Sequence, residues 1–185
     1  YSGRLAEALA KTEANGAITG SHLLVAAGRI ANVEGMNLEA AGVAYTKRGI
    51  TVDAGLRSSR RHIYAIGDVA GGLQFTHVAG YQAGLVIRNA LFRLPVKNRA
   101  DIIPWVTYTD PELAHVGLTE TAAKKEFGDT VKVLRWPFHD NDRAQAEGKT
   151  KGLVKAVIGK GGKILGVSIV GAQAGELIQP WVLAM

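Results

Sequence analysis

The 185-residue sequence contains no cysteine. Within this stretch that excludes disulfides, thiolate metal sites and a cysteine nucleophile. A long basic run interleaved with aromatics is also missing, although the net charge is +6. The basic residues are scattered as Lys47-Arg48, Arg57, Arg60-Arg61, Lys97, Arg99, Lys124-Lys125, Lys149 and Lys151. Such scatter reads as solvated faces, so no nucleic-acid partner is expected. No apolar run is long enough to span a membrane, and Tyr1-Ser2-Gly3 opens no signal peptide. The expectation is a cytoplasmic protein without a membrane partner. A metal loop is lacking too. Asp140-Asn141-Asp142-Arg143 offers two carboxylates without the calcium-loop spacing and reads as a surface turn, so no metal site is expected. With 47% hydrophobic and 21% charged residues, the composition suits a globular chain of one or two domains with a real core. The missing initiator Met and the abrupt end at Met185 suggest a piece of a longer protein.

What is present is organised around Ile63–Ala70. Ile63-Tyr64-Ala65-Ile66 follows the polar turn Arg57–Arg61 and reads as a short buried strand. It ends in Gly67-Asp68. A glycine admits a ligand close to the backbone. An acid at the C-terminal end of an α/β strand can accept hydrogen bonds from ligand hydroxyls. Gly71-Gly72 and Leu73-Gln74-Phe75-Thr76-His77 come next, then a long apolar helix. A strand, an acid, a glycine loop and a helix start form a ligand-binding layout. An Asp after a strand also serves as a turn or cap residue, and this stretch alone leaves both roles open.

Around it, Leu5–Ala10 has helix-forming composition, but Asn15-Gly16 followed by Ile18 and Thr19 favours a β-hairpin over residues 1–21. His22–Ala27 reads as a buried strand ending at Gly28-Arg29. A Gly-punctuated connection follows, with a helical turn at Leu38–Ala41 and a strand at Gly49–Asp53. The spacing predicts a helix over 76–93, N-capped by Thr76, apolar on two faces and buried between layers. Arg88 and Arg93 near its end suit the helix dipole, and Pro95 stops it. This first part reads as parallel α/β material. From residue 102 the pattern becomes antiparallel. Strands are expected at 103–108, 131–138, 153–158 and 164–170, with Gly159–Gly162 as the last hairpin loop. A short helix fits Thr119–Phe127, with Thr119 as N-cap and Gly128 beyond its end. Asp110-Pro111-Glu112 reads as a turn. Another helix begins near Ala174, kinked or broken at Pro180. Trp105, Trp136 and Trp181 are candidate core or interface anchors.

Three segments carry a resemblance. Leu24–Asn32 resembles the V-G-R-x-P-N crossover of the class I pyridine nucleotide-disulfide oxidoreductases, with Ala31 in place of the usual Pro. Ile63–Val69 resembles their second FAD motif. Tyr108–Glu120 resembles the opening of their dimerisation domain. The order and spacing match, and dihydrolipoyl dehydrogenase and mercuric reductase are the nearest types. The resemblance implies an α/β FAD/NAD(P)-binding domain remnant followed by an α+β dimerisation domain of antiparallel sheet and helices. It divides the chain into the end of an NAD(P)-binding domain (1–32), the C-terminal part of an FAD-binding domain (33–98) and a dimerisation domain (99–185), truncated at its C-terminus. It implies FAD at Gly67, Asp68, Gln74, Phe75, Thr76 and His77, with Asp68 accepting from a ribityl hydroxyl. It places Gly28 near NAD or NADP. Arg29 reads as a structural ion-pair partner in preference to a ligand contact. The implied protein is a homodimer through residues 99–185. It passes electrons between NAD(P)H, flavin and a small-molecule, disulfide or metal substrate. No catalytic residue is expected here, because none of the five histidines sits in the family's C-terminal His-Glu motif. A second reading makes the isolated piece a dimerisation module without flavin or catalysis. A third, a flavin reductase lacking the dimerisation domain, is opposed by Tyr108–Glu120.

Overall fold

A computed structural model describes the backbone of residues 4–12, 16–22 and 24–185, and the side chains of residues 21, 22 and 24–185. The chain divides into two compact units. The first is Tyr1–Asp53 with Arg57–Phe75, and the second is Ala54–Leu56 with Thr76–Met185.

The first unit opens with the expected hairpin, strands β1 (Arg4–Thr12) and β2 (Gly16–His22) paired antiparallel. Asn15 of the expected turn lies outside the described residues. The strand read at His22–Ala27 is not found. His22 ends β2, Leu23 lies outside the described residues, and Leu24–Ala27 form no ladder, with Leu24 85% exposed. An apolar run forms a strand only where another strand accepts its backbone bonds. None among the described residues does so here.

The core of this unit joins Ala31, Val33, Leu38, Val43, Ile50 and Ala65, with Val52, Ile63, Val69 and Ala70 packed against them. The Leu38–Ala41 segment is a single turn, closed by Gly42 N to Glu39 O at 2.9 Å and Val43 N to Leu38 O at 2.9 Å. Strands β3 (Tyr45–Thr46) and β4 (Gly49–Ile50) form a two-residue antiparallel pair, so the expected strand at 49–53 is shorter than read. The strand expected at Ile63–Ile66 reduces to one bridge, Tyr64 to Arg57. Its apolar pattern records the burial of Ala65, not ladder pairing. Arg57 also donates from Nε to the Tyr64 hydroxyl at 3.2 Å. The parallel pairing expected in this part is absent among the described residues, where every ladder is antiparallel.

The second unit holds helix α1 (Thr76–Phe92), close to its expected span. Its buried stripe is Val78, Gln82 and Leu85, while Ile87, Leu91 and Phe92 are exposed. One face is therefore covered, not two. A five-stranded antiparallel sheet follows, ordered β5-β6-β9-β8-β7. Its strands are β5 (Trp105–Thr107), β6 (Glu112–Gly117), β7 (Lys132–Pro137), β8 (Leu153–Ile158) and β9 (Ile164–Gly171). Strand β6 begins inside what the sequence reads as a turn, and it lies between β5 and β9. Helix α2 (Glu120–Phe127) has the expected cap: Ala122 N donates to Thr119 Oγ1 at 3.2 Å. A short helix α3 (Asp142–Ala146), unforeseen, fills the expected surface turn. Helices α4 (Ala174–Leu177) and α5 (Gln179–Ala184) meet at the break set by Pro180.

Residues opposite one another in an antiparallel ladder share a face. Val106, Ala114, Ile169, Val154 and Trp136 are therefore one row, and Ala174 and Ile178 pack on its inner part. Trp181 packs against this core, whereas Trp136 on the edge strand is 60% exposed. Gly166 lets the chain leaving β6 lie close against β9, since a methyl there would strike the Leu118 backbone, whose N donates to Leu165 O at 2.8 Å.

On the opposite face His115 is buried. Its Nε2 donates to Gly117 O at 2.9 Å, and its Nδ1 accepts from Ser168 Oγ at 2.9 Å. Burial, and secondarily the Lys155 charge, hold its pKa below the ordinary 6.5. The unfolded chain thus binds the proton more readily. His115 leaves stability unaffected above pH about 6.5 and lowers it as pH falls from there to the folded-state value. Urea midpoints at pH 7.5 and 5.5 are expected to differ more for the native chain than for His115→Gln. Replacing the fully buried Ile169 by Ala is expected to lower unfolding free energy by about 2–5 kcal/mol. Thr119→Ala should lower it by about 1 kcal/mol, read from the same denaturation curves.

Candidate functional site

The acid at the end of the Ile63–Ile66 segment sits on a built loop. Gly67–Ala70 forms one tight 3-10 turn, closed by Gly71 N to Asp68 O at 3.1 Å. Gly67 is buried at φ 67°, and Gly71 and Gly72 follow at φ 71° and 79°. This left-handed backbone is why the loop is rich in glycine.

Strand β4 supports the loop from behind. A Cβ on Gly49 would lie 2.5 Å from Val69 O and 2.8 Å from Gly71 N, and one on Gly71 would lie 2.7 Å from Arg48 O. Gly49 is thus a residue of the site's frame that the sequence reading left out. Its only signal was its place after Lys47-Arg48 in a hairpin turn.

In front, Asp68 turns a carboxylate to solvent, with 47% of the side chain exposed. Arg29 reaches it: Nη1 lies 3.6 Å from Asp68 Oδ2 and donates to Gln74 O at 2.9 Å. The ion-pair role expected for Arg29 is thereby given a partner, the site acid itself. Gly28, next to it, has φ 120°, and an added Cβ would meet nothing within 4 Å. Its glycine is required by conformation, and the space beside it is open.

Gly67, Asp68, Gln74 and Phe75 belong to the first unit with Gly28 and Arg29. Thr76 and His77 belong to the second. Thr76, read from the sequence as the N-cap, is instead the first residue of α1, a shift within the ordinary uncertainty of helix ends. His77 Nε2 donates to Pro104 O at 2.8 Å, tying the first turn of α1 to the segment before β5. Tyr81, one turn on, accepts from Arg99 N at 3.2 Å. The first turn of this 17-residue helix carries no acidic side chain, so its positive dipole end is not offset by a charge of its own.

Chemically, the first unit presents a half-exposed carboxylate beside left-handed glycines. At Gly72 an added Cβ would again meet nothing within 4 Å. Such a loop accepts hydrogen bonds from a polyhydroxylated chain and leaves room for it. That fits the ribityl part of a flavin. Among the described residues no group of three or more His, Cys, Asp and Glu is placed to hold a metal, and no helix is long and apolar enough to cross a membrane.

Comparison with known proteins finds two family matches. Residues 3–83 match the family described as pyridine nucleotide-disulphide oxidoreductase, and residues 103–185 match its dimerisation domain. A mercuric reductase of Bacillus cereus is 40% identical over 170 residues, covering 91% of this chain and 27% of that protein. A dihydrolipoyl dehydrogenase of Thermus scotoductus is 44% identical over 171 residues, covering 88% and 35%. The structure of LpdA from Mycobacterium tuberculosis superposes with a TM-score of 0.83 at 29% identity, covering 92% of this chain and 38% of that one. The flavoprotein disulfide reductase RclA from Escherichia coli gives 0.79 at 28%, covering 93% and 40%. The chain therefore spans about a third of the length of the relatives it matches. Two matches of one family lie in the order that the motifs have in the sequence, on a fold shared with the LpdA and RclA structures, and the chain belongs to the pyridine nucleotide-disulphide oxidoreductases.

Proposed function

We propose that this chain is the C-terminal portion of an FAD-dependent oxidoreductase. The parent protein passes electrons between NAD(P)H, flavin and a disulfide or metal substrate, as a dihydrolipoyl dehydrogenase or mercuric reductase does. The observation that carries the reading is the half-exposed Asp68 carboxylate on its glycine loop, in a chain of this family. In this reading residues 1–32 end an NAD(P)-binding domain, 33–98 complete an FAD-binding domain and 99–185 form the dimerisation domain of a homodimer. A cytoplasmic location belongs to the same reading.

Bound flavin supplies the electron-transfer chemistry, and the protein supplies binding, orientation and electrostatics. Asp68 accepts from a ribityl hydroxyl, and its charge makes that bond stronger than a neutral acceptor would. Gly67 sets the turn that presents it. Gln74 and Phe75, then Thr76 and His77, continue along the flavin. Gly28 borders the nicotinamide nucleotide. No acid–base residue is assigned within this chain.

A second reading applies to the 185 residues alone: a dimerisation module that holds no flavin. It is favoured by the self-contained core of the second unit, from Ala114 to Ile178, none of which belongs to the first unit.

Asp68→Ala in the longer protein is expected to raise the FAD dissociation constant about 10- to 100-fold, the worth of a charged hydrogen bond. Flavin fluorescence titration reads it, and an unchanged constant would remove Asp68 from the site. The purified 185-residue chain should be colourless and sediment as a dimer under the second reading. A yellow chain with stoichiometric FAD would exclude that reading.

A further inference from the structure

We propose that Arg29 is a positioning residue of the flavin site, acting through Asp68 and the loop that carries it; this rests on the flavin reading above. One guanidinium nitrogen, Nη1, stands 2.9 Å from Gln74 O and 3.6 Å from Asp68 Oδ2. It therefore ties together the two ends of the segment 68–74. That segment contains Gly71 and Gly72, both left-handed and free of a side chain to hold them. Behind the loop, Gly49 and Arg48 leave no room for retreat. In front, Arg29 is the side chain that bridges it.

The geometry divides the work. The 2.9 Å bond fixes where the loop ends. The longer 3.6 Å approach leaves the Asp68 oxygens able to accept from a ligand hydroxyl while a cation stays beside them. A carboxylate in a tight bidentate pair with arginine would have its lone pairs engaged. Asp68 is held without being consumed. Arg29 also follows Gly28 directly, so the residue that steadies the flavin acid is joined by one peptide bond to the residue read as bordering the nicotinamide nucleotide. Lysine replaces this arrangement only in part, because its ammonium keeps the charge but is more strongly hydrated and sits on a flexible stem without the pre-organised guanidinium plane.

The test uses the apo form of the longer protein titrated with FAD, with Arg29→Gln, Arg29→Lys, Asp68→Asn and the double variant Arg29→Gln/Asp68→Asn. Flavin fluorescence gives the dissociation constant, and thermal melting of each apoprotein gives the structural control. Arg29→Gln is expected to raise the FAD constant about tenfold, with Arg29→Lys between it and the native protein and apo melting unchanged. In the Asp68→Asn background the effect of Arg29→Gln should shrink by about threefold or more, the signature of residues acting as a pair. Equal effects in both backgrounds would overturn the proposal, as would an unchanged constant in Arg29→Gln. Apo melting lowered alike in the Gln and Lys variants would also overturn it, by making Arg29 merely structural. If Asp68→Asn alone leaves FAD binding intact, the flavin reading itself fails. If Asp68→Asn weakens binding and Arg29→Gln does not, only the role of Arg29 fails.

Discussion

The first unit depends on one close backbone approach. Gly49 of β4 lies so near the turn after Ile66 that a single added methyl would come within 2.5 Å of Val69 O. No rotamer relieves such a clash, since both partners are main chain. The 67–72 loop is therefore fixed from behind by the absence of a side chain, and only its outer face stays available. Ile50 and Val69 pack in the same apolar cluster, so hydrophobic burial holds the two segments together. Burial supplies the force, and the glycine sets the distance.

The second unit follows a different principle. Its centre is the ladder row Val106, Ala114, Ile169 and Val154, where Ala114 and Ile169 are fully buried. Small residues at the crossing points let other segments come close: a Cβ on Gly171 or Gly152 would strike the Phe138 ring. Charge is arranged at the rim. Glu120, in the first turn of α2, meets Lys124 at 2.8 Å, Arg135 at 2.9 Å and Lys155 at 3.4 Å. The Lys124 hydrogen bond leads in lowering its pKa, with Lys155 and Arg135 adding. One carboxylate thus joins the helix to neighbouring strands β7 and β8.

Legibility tracked how local each signal was. Helix α2 was readable because its cap, first-turn acid, last-turn lysines and terminal glycine lie within ten residues. Helix α1, the hairpin loop at Gly159–Gly162 and the break at Pro180 were legible for the same reason. Strand β6 was not, because Asp110-Pro111-Glu112 carries turn chemistry and its ladder partners are residues 105–107 and 166–171. Leu24–Ala27 and Ile63–Ile66 failed in the opposite sense. Their apolar runs matched strands, but a strand also needs a partner, and no run of residues encodes one. In the site, Gly67 and Asp68 stood out as a motif. Gly49 did not, since its importance lies in a contact 20 residues away.

Magnitudes decide what the Arg29–Asp68 contact is for. An exposed ion pair contributes about 0–1 kcal/mol. Fixing an arginine side chain costs up to about 2 kcal/mol of rotamer freedom. With both side chains near half exposed or more, the pair adds little to folding. The apolar cluster behind it holds the unit without help. What the contact does supply is direction, by confining a loop whose glycines otherwise permit many conformations. A loop settled before its ligand arrives loses less entropy on binding. The same pair that is nearly neutral for stability thus has its effect on affinity, because pre-ordering acts on the difference between the free and bound states.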